Sequence, residues 1–436
     1  MLYKRCSREF NLSRSTSCYS MEIYDLKRKI LKAIKKTGNT QQKKSRFLIV
    51  PDLVNRLAKD LGKNQYKPSR FSCFVVKDPK IREIFAPDYT DRVVHHIIVN
   101  EIGSYIDKKF IFDSCANRKD KGTHFAVRRT QKILKNAKNE YYLKADIKTF
   151  FPSINKNILW RLVQYHISKI EEMPPKDKNF ILDLCGKIIF QNPVDPPPIL
   201  TGNENLLSSV PREKSLFHIS RYKGLPIGSL TSQFFANIYL NELDQFVKHK
   251  LKAKHYVRYV DDFVILGENA KDLAILKKEI QNFLQRELDL SLHPQKTAIQ
   301  HKSKGIDFLG YIIRERYFLV RKRTVKSFKR RIYFFNHLLD PKNFPIADPP
   351  SDFKFLKRYS KRKLIPPVIP DLPLLQKMLA VINSYYGVFS FANTYNLRKT
   401  LYENHFHLLK KYFIPQEDDY KMMKIRPALI KKAGHK

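Results

Sequence analysis

Three aspartates stand where a carboxylate is costly unless it has a chemical task. Asp261 and Asp262 interrupt HYVRYVDDFVIL, a run of β-branched and aromatic residues that predicts a hairpin. Adjacent aspartates in such a run belong either to a hairpin turn or to a cation site, and no Gly, Asn or Pro occurs between Tyr256 and Leu266 to favour a plain turn. Asp146 ends a second short apolar strand, YYLKADI, and is followed by FFPSI. The pattern favours a metal site, and a plain turn is the alternative.

Carboxylates at neighbouring strand ends suit phosphoryl transfer assisted by two divalent ions. Such ions lie about 3.5 to 4 Å apart, where they activate a hydroxyl nucleophile and stabilise the leaving group. One aspartate on one strand and a pair on an adjacent hairpin could supply the ligands. Hard oxygen ligands favour Mg²⁺, with Mn²⁺ as the alternative, and the five scattered cysteines lack any CxxC or Cys/His spacing for zinc. We therefore predict two Mg²⁺ ions and reduced thiols.

The net charge indicates the partner. The 436 residues include 83 Lys and Arg against 41 Asp and Glu, which leaves a formal charge of +42 that a polyanion would neutralise. An anionic membrane surface is the competing interpretation, but the charge is spread along the chain among Tyr and Phe, which favours nucleic acid. No apolar run approaches about 18 residues, and the start, MLYKRCSREF, lacks the apolar stretch of a signal peptide. We expect a soluble cytoplasmic protein without a membrane partner.

The elements that must position the aspartates follow from local patterns. Strands are predicted in RFSCFVV and KIREIFA, joined by a KDPK turn, and in YYLKADI, HYVRYVDDFVIL and GIDFLGYII. Helices are predicted at 47–61, 91–106, 123–138, 156–166, about 230–250, 271–288, within the basic stretch after residue 316, and at about 374–412. Residues 1–45 are polar and basic with weak periodicity, so we expect partial disorder until a partner binds, and the Pro- and Ser-rich residues 190–215 predict a loop. His95 and His96 lack the spacing of a metal pair, so we expect packing or RNA contact.

Several motifs, in a fixed order, resemble those of a reverse transcriptase over about residues 66–315. They are RFSCFVVKDPKIREI, DRVVHHIIVN, KGTHFAV, ADIKTFFPSI, GLPIGSLTSQFFANIYLNELDQF, YVDDF, LHPQKT and FLGY. The GLPIGSLTSQ segment, preceded by KSLF, is most similar to bacterial enzymes of the diversity-generating retroelement type, within the group II intron and retron superfamily. INSYYGVFSFANTYNLRK at 382–399 is similar to the C-terminal region of that group.

The resemblance implies an α+β right-hand polymerase fold with a C-terminal helical thumb. Its expected parts are, in chain order, a basic N-terminal arm at 1–45, fingers at 46–140, a palm at 141–315 that includes part of the fingers and a loop insertion at 190–215, and a basic helical thumb and C-terminal region at 316–436.

The family's metal-binding residues match positions of this chain one by one. Asp146 and Asp261 match the metal-binding aspartates, Asp262 their partner in the YxDD box, and the carbonyl of Ile147 a backbone ligand. Phe151 matches the aromatic residue that blocks a ribose 2′ hydroxyl, and a core aromatic residue is the alternative.

Nucleotide-binding positions match as well. Lys77, Lys80 and Arg82 lie on the predicted fingers hairpin where the family places cations on the triphosphate, and Arg82 is the first choice because a guanidinium binds phosphate in a bidentate manner. Lys296 of LHPQKT matches a basic position near the active site. For the three lysines, a solvated side chain is the alternative. Gly228 would let the backbone approach the template or nucleotide closely.

Two positions depart from the commonest polymerase pattern. Ile227 stands where Gln usually precedes the glycine, and Gln233 where Pro usually follows the serine, as in the retroelement subgroup. Because an aliphatic side chain replaces an amide near the nucleotide, we hypothesise lower fidelity.

The resemblance predicts RNA-templated synthesis of cDNA from dNTPs with Mg²⁺, in a diversity-generating retroelement. The alternative is a related bacterial enzyme acting in antiphage defence with a dedicated noncoding RNA. A non-catalytic RNA-binding scaffold is a further alternative, and a group II intron splicing factor would need a DNA-binding or endonuclease extension that we do not recognise in these residues. Expected partners are a structured template RNA, the cDNA product, dNTPs, and an accessory protein or second copy.

Overall fold

The computed structural model describes residues 22–37, 50–77, 80–136, 138–202, 204–346 and 367–429. The chain folds into two compact units. The first comprises Met1–Val75, Glu83–Lys109 and Asn155–Ile238, and the second comprises Val76–Arg82, Phe110–Ile154 and Tyr239–Lys436.

The α-helices of the described residues are, in chain order, α1 (Ile23–Thr37), α2 (Val50–Gly62), α3 (Tyr89–Asp107), α4 (Thr123–Leu134), α5 (Phe150–Ser153), α6 (Lys156–Ser168), α7 (Pro175–Phe190), α8 (Leu230–Gln245), α9 (Ala270–Leu288), α10 (Lys322–Leu339), α11 (Leu372–Ser390) and α12 (Tyr395–His405). The strands are β1 (Ser72–Val76), β2 (Arg82–Ala86), β3 (Tyr141–Asp146), β4 (Ile199–Leu200), β5 (His255–Tyr259), β6 (Asp262–Gly267), β7 (Ala298–His301), β8 (Ile306–Phe308), β9 (Tyr311–Ile313), β10 (Phe318–Val320), β11 (Phe413–Pro415) and β12 (Met423–Ile425).

In the first unit, α1 packs against α2 and α3 through a narrow apolar stripe. Leu26, Ile30 and Ala33 are fully buried, at spacings of four and three residues that place them on one helical face. The expectation of partial disorder was therefore wrong for residues 23–37, because three buried positions suffice where a neighbouring helix covers them. The rest of the predicted arm, 1–21 and 38–45, lies outside the described residues.

A small sheet in the first unit has the strand order β2-β1-β4. The predicted hairpin is confirmed in its two strands, and residues 78 and 79 of its turn lie outside the described residues. β4 comes from the segment predicted as a loop and pairs in parallel with β1, with Ser72 opposite Ile199. A two-residue strand beside prolines leaves no periodic pattern. The prediction of a loop at residues 190–215 was therefore only partly right.

The second unit contains a four-stranded antiparallel sheet in the order β5-β6-β3-β7. α9 packs against β3, β6 and β7. Each of the two central strands, β3 and β6, buries four of its six residues and half-buries the other two, which explains why YYLKAD and DFVILG are mostly apolar.

Beyond that sheet, the second unit continues with a three-stranded sheet, β10-β9-β8, and helices α10 to α12. These helices share a core rich in aromatic side chains, among them Phe328, Tyr386, Phe389 and Phe406. β11 and β12 form a further antiparallel pair after the last helix, although the polar residues after Pro415 predicted no element. Within the described residues, no helix combines the length and apolar character that crossing a bilayer requires.

Candidate active site

Three carboxylates meet at one end of the β5-β6-β3-β7 sheet. Asp146, the last residue of β3, lies opposite Asp262, the first residue of β6, in their antiparallel register. Asp261 forms the two-residue turn between β5 and β6 together with Val260. Its carbonyl accepts a hydrogen bond at 3.2 Å from the N–H of Ile147. The predicted hairpin and its neighbouring strand are confirmed, and Asp261 lies in the turn itself.

The electrostatics of these carboxylates reflect burial and mutual repulsion. Burial, followed by the charges of Asp262 and Asp146, raises the pKa of Asp261 to about 7. Burial and then Asp146 likewise raise the pKa of Asp262. Carboxylates this close are costly to ionise together, and a bound divalent cation would favour their charged forms.

The donor set fits Mg²⁺ or Mn²⁺, since both prefer carboxylate oxygens. Asp146, Asp261 and Ile147 are the residues that would hold such ions, with Asp262 beside them. Among the residues that the structure describes, no three His, Cys, Asp or Glu side chains stand as a ready metal-binding group. As the side chains stand, one oxygen of Asp146 is paired with a lysine.

That lysine is Lys296, whose Nζ donates to Oδ1 of Asp146 at 2.8 Å. The LHPQKT segment is fixed alongside β3 because the N–H of His293 donates to the carbonyl of Asp146 at 2.7 Å and Leu292 pairs with Ile147. Lys296 thus lies at the carboxylates, although its side chain remains 42% exposed.

The tip of the β1–β2 hairpin belongs to the same unit as the carboxylates. Burial lowers the pKa of Lys80, as do Lys296, Arg82 and Arg323, against the opposing effect of Asp146. Lys80 and Arg82 therefore share one electrostatic environment with the aspartates. The other lysine of the tip, Lys77, is exposed, and no hydrogen bond or ion pair joins it to the aspartates within the described residues.

Arg323 was not singled out from the sequence. It lies in the first turn of α10, inside a basic stretch assigned as a whole to a nucleic-acid grip. A cation in the first turn opposes the helix dipole, but Lys322 in the same turn and Lys156 and Lys271 in other helices do so too, so the sequence held no signal specific to Arg323.

Phe151 lies on the short helix α5, five residues after Asp146. It is half-buried, and its ring contacts the buried ring of Phe150 edge to face, with centroids 5.4 Å apart. Thr149 before them has φ +44°, which turns the chain sharply after β3. Phe151 is thus partly a core residue and partly accessible.

Ile227 and Gly228 lie in the first unit, against strand β2. The N–H of Phe85 donates to the carbonyl of Ile227 at 2.8 Å. Gly228 has φ +120°, and a Cβ there would lie 2.8 Å from the carbonyl oxygen of Phe85 and 2.9 Å from Cγ2 of Ile84. Only glycine fits at this position, for both reasons.

The residue after the glycine is held by a buried neutral cluster. Oγ of Ser229 lies 3.1 Å from Nδ1 of His95 and 2.9 Å from Oγ1 of Thr231. The packing interpretation of His95 is confirmed, and the half-buried His96 beside it takes no part in the cluster. Gln233, in the first turn of α8, is exposed.

Comparison with known proteins finds a match over the same region of the chain. A family model described as reverse transcriptase (RNA-dependent DNA polymerase) matches residues 75–313, more than half of the chain. The group II intron-encoded protein LtrA of Lactococcus lactis subsp. cremoris is 24% identical over 416 aligned positions, which cover 76% of this chain and 64% of LtrA. The retron Ec73 reverse transcriptase of Escherichia coli is 28% identical over 176 positions, covering 39% of this chain and 46% of that enzyme.

This chain therefore spans 64% of the length of LtrA. Among solved structures, apo telomerase from Candida tropicalis is similar with a TM-score of 0.42 and 14% identity, over 64% of this chain and 54% of that one. A likeness of that size adds nothing to the assignment, which rests on the family model. The chain belongs to the reverse transcriptase (RNA-dependent DNA polymerase) family.

Proposed function

We propose that this chain is an RNA-directed DNA polymerase that extends a primer by copying a template RNA with dNTPs. The observation that carries the proposal is the convergence of Asp146, Asp261 and Asp262 at adjoining strand ends. Their crowding makes a divalent counter-charge favourable, and the family match supplies the class of reaction.

Each charged residue of the site has a defined task in this proposal. Mg²⁺ ions, or Mn²⁺ in their place, would activate the primer 3′ hydroxyl and stabilise the charge on the leaving pyrophosphate. The aspartates orient those ions, and Lys80 and Arg82 bind the triphosphate from the hairpin tip, together with Lys77. Lys296, whose ammonium is paired with Asp146 at 2.8 Å, would exchange that carboxylate for the phosphates of the nucleotide.

The direct test is primer extension on an RNA template with the Asp261→Asn variant. Incorporation should fall to background, because the amide cannot replace a charged ligand. Asp272→Asn is the matched control, since Asp272 lies exposed in the first turn of α9 in the same unit and should leave the rate unchanged. An active Asp261→Asn variant, or a wild-type chain inactive with both Mg²⁺ and Mn²⁺, would contradict the proposal.

Phe151 is proposed to select deoxyribose by occupying the space of a 2′ hydroxyl. Its half-buried ring on α5, close in sequence to Asp146, supports this role. Phe151→Ala should raise the ratio of ribonucleotide to deoxynucleotide incorporation, whereas Phe112→Ala, which removes an aromatic ring that is 61% exposed, should not. Equal ratios for wild type and Phe151→Ala would reject the role.

Residues 227–233 are proposed to approach the nucleotide and template through the backbone at Gly228. The aliphatic Ile227 and the exposed Gln233 flank it, and loss of the usual amide supports lower fidelity. Ile227→Gln should reduce misincorporation, particularly opposite template adenine. The same error spectrum in both proteins would reject this hypothesis.

The proposed architecture assigns fingers to 46–140, palm to 141–315 and thumb to 316–436, with the arm at 1–45. Thumb helix α10 carries most of its positive charge on exposed positions, which supports contact with phosphates of a template-primer duplex. A structured noncoding RNA as template, and an accessory protein or a second copy, complete the proposed assembly.

For the biological role, we propose error-prone cDNA synthesis in a diversity-generating retroelement, on the strength of Ile227 and of the C-terminal segment 382–399. Sequencing the RNA and cDNA that copurify with the protein is the test. Substitutions at template adenines would support this role, and a repetitive or structured cDNA would replace it with antiphage defence. RNA without cDNA would favour the non-catalytic scaffold.

A further inference from the structure

A fully buried guanidinium lies directly behind the turn that carries Asp261. Arg258, on β5, has no exposed side-chain surface. Its Nε donates to Oδ1 of Asp244 at 2.7 Å and its Nη2 to Oδ2 at 2.5 Å, so the pair is bidentate. Nη2 also donates to Oγ of Ser114 at 3.0 Å, and the hydroxyl of Tyr256 donates to Asp244 at 2.8 Å. The ion pair is therefore rigid and well supplied with hydrogen bonds.

The same guanidinium reaches the turn itself. Nη1 of Arg258 donates to the carbonyl of Val260 at 3.1 Å. Val260 has φ +54°, a left-handed conformation that a β-branched residue rarely adopts and that is strained. Glycine is the usual residue with positive φ in a two-residue hairpin turn. Something must hold Val260 in this conformation, and a charge-assisted hydrogen bond to its carbonyl is a suitable restraint.

Val260 immediately precedes Asp261, and the carbonyl of Asp261 accepts from Ile147 on the adjoining chain segment. Rotation of the peptide between Val260 and Asp261 would therefore change the orientation of the Asp261 carboxylate. The pairing of β5 with β6 ends with Tyr259 opposite Asp262, so this pairing does not itself fix the peptide between Val260 and Asp261.

We propose that Arg258 is a positioning residue for the metal-binding carboxylates: neutralised by Asp244, it fixes the Val260 carbonyl and thereby the orientation of Asp261 toward divalent ions. This inference rests on the proposed function for its catalytic consequence. Its consequence for metal binding can be measured separately.

The competing explanation is that Arg258 and Asp244 merely stabilise the fold. Replacing a whole buried ion pair by apolar residues of similar volume often leaves the fold intact, whereas removing one partner does not. The test variant is therefore the triple variant Asp244→Leu/Tyr256→Phe/Arg258→Met. Tyr256→Phe is included because the Tyr256 hydroxyl would lose its acceptor when Asp244 is replaced, and Tyr256→Phe alone is the reference protein. The triple variant removes the pair and also the hydrogen bond to Val260.

The measurement is Mn²⁺ affinity, followed by the electron paramagnetic resonance signal of the free ion, beside the urea midpoint of unfolding. We expect similar midpoints and a Mn²⁺ affinity about 10- to 100-fold weaker in the triple variant, as when a group that orients a metal ligand is lost. The Mg²⁺ concentration for half-maximal incorporation should rise in parallel, with KM for dNTP at saturating Mg²⁺ little changed.

Two further variants keep the inference falsifiable if the triple variant does not fold. Arg258→Lys retains a positive charge for Asp244 but cannot serve both that carboxylate and Val260 with the same geometry, so it should also weaken Mn²⁺ binding. Adding Val260→Gly to Arg258→Lys should restore part of the affinity, because glycine adopts positive φ at little cost.

Unchanged Mn²⁺ affinity in the folded triple variant or in Arg258→Lys would overturn the proposal, and so would a loss of affinity that Val260→Gly fails to relieve. If the wild-type chain binds Mn²⁺ but polymerises nothing, the proposed function fails while the positioning role remains measurable.

Discussion

Among the described turns with positive φ angles at or beside predicted site residues, two are flanked by buried polar groups of opposite kinds. In the second unit, Val260 at φ +54° is held by the charged Arg258. In the first unit, Gly228 at φ +120° is followed by Ser229, which lies in a neutral cluster with His95. The turn at Val260 orients the carboxylate of Asp261, whereas the turn at Gly228 places the backbone of Ile227 and Gly228 against β2.

The two groups differ in charge. The ionic anchor consists of Arg258 and Asp244, and the neutral anchor consists of His95, Ser229 and Thr231. Burial alone would lower the pKa of Arg258, but Asp244 raises it above its ordinary value, so the guanidinium stays charged. Burial, and then the charge of His96, lowers the pKa of His95 to about 3, so that imidazole stays neutral near physiological pH. An ionic anchor gives a stronger hydrogen bond, but it depends on both charged partners. A neutral anchor gives weaker hydrogen bonds and tolerates the loss of one member. Because its histidine can be protonated, it is also sensitive to acid.

The largest effect should come from breaking the ionic anchor on one side only. Arg258→Met leaves Asp244 buried without its counter-charge, which we expect to lower the free energy of unfolding by about 3–5 kcal/mol. Chemical denaturation measures this change. Asp244→Leu/Arg258→Met should recover most of it, and a single variant as stable as the double variant would contradict the ionic description.

At the neutral turn, the steric requirement at Gly228 should have the next largest effect. Gly228→Ala combines positive φ with a clash against the carbonyl of Phe85, and we expect a loss of about 2–4 kcal/mol. Gly202→Ala is the matched control in the same unit, since its φ is +90° but no atom of the described residues outside its chain neighbours lies within 4 Å of the added Cβ. The control should cost about 1–2 kcal/mol, and equal losses would show that the approach to Phe85 does not matter.

Breaking the neutral anchor should cost less. His95→Leu keeps the volume of the side chain and leaves Ser229 its contact with Thr231, so we expect a loss of about 1–2 kcal/mol. His96→Leu, at the half-buried neighbour, should lie within about 0.5 kcal/mol of wild type. A His95→Leu loss as large as that of Arg258→Met would remove the distinction between the two anchors.

The smallest expected effect is a pH dependence confined to the neutral anchor. Because the folded pKa of His95 lies below its ordinary value of 6.5, the unfolded chain binds the proton first as the pH falls. This group's contribution is present above pH 6.5 and is lost progressively toward pH 3, by about 1 kcal/mol between pH 6.5 and 5.5. The stability difference between wild type and His95→Leu should shrink accordingly over that interval, and a constant difference would refute the linkage.

Local patterns predicted the elements that carry the carboxylates well. β3, β5 and β6 are short apolar runs that end or turn at aspartates, and their pairing follows from a hairpin beside a neighbouring strand. Local patterns failed for β4 and β12, whose two or three residues pair with strands far away or across a polar turn. They also missed α1, whose stripe of three buried residues becomes significant only beneath α3.

The sequence by itself determined the motif order, hence the family, and the three aspartates at predicted strand ends. Only the tertiary structure decided that Lys296 pairs with Asp146 across 150 residues, and that Arg258 reaches both Asp244 and the Val260 carbonyl. The alternation of apolar residues in strands and their periodicity in helices indicate which face of an element is buried. A long-range ionic contact depends instead on how the elements pack against one another in three dimensions. Residue type alone therefore could not distinguish a buried, paired Arg258 from a solvated one.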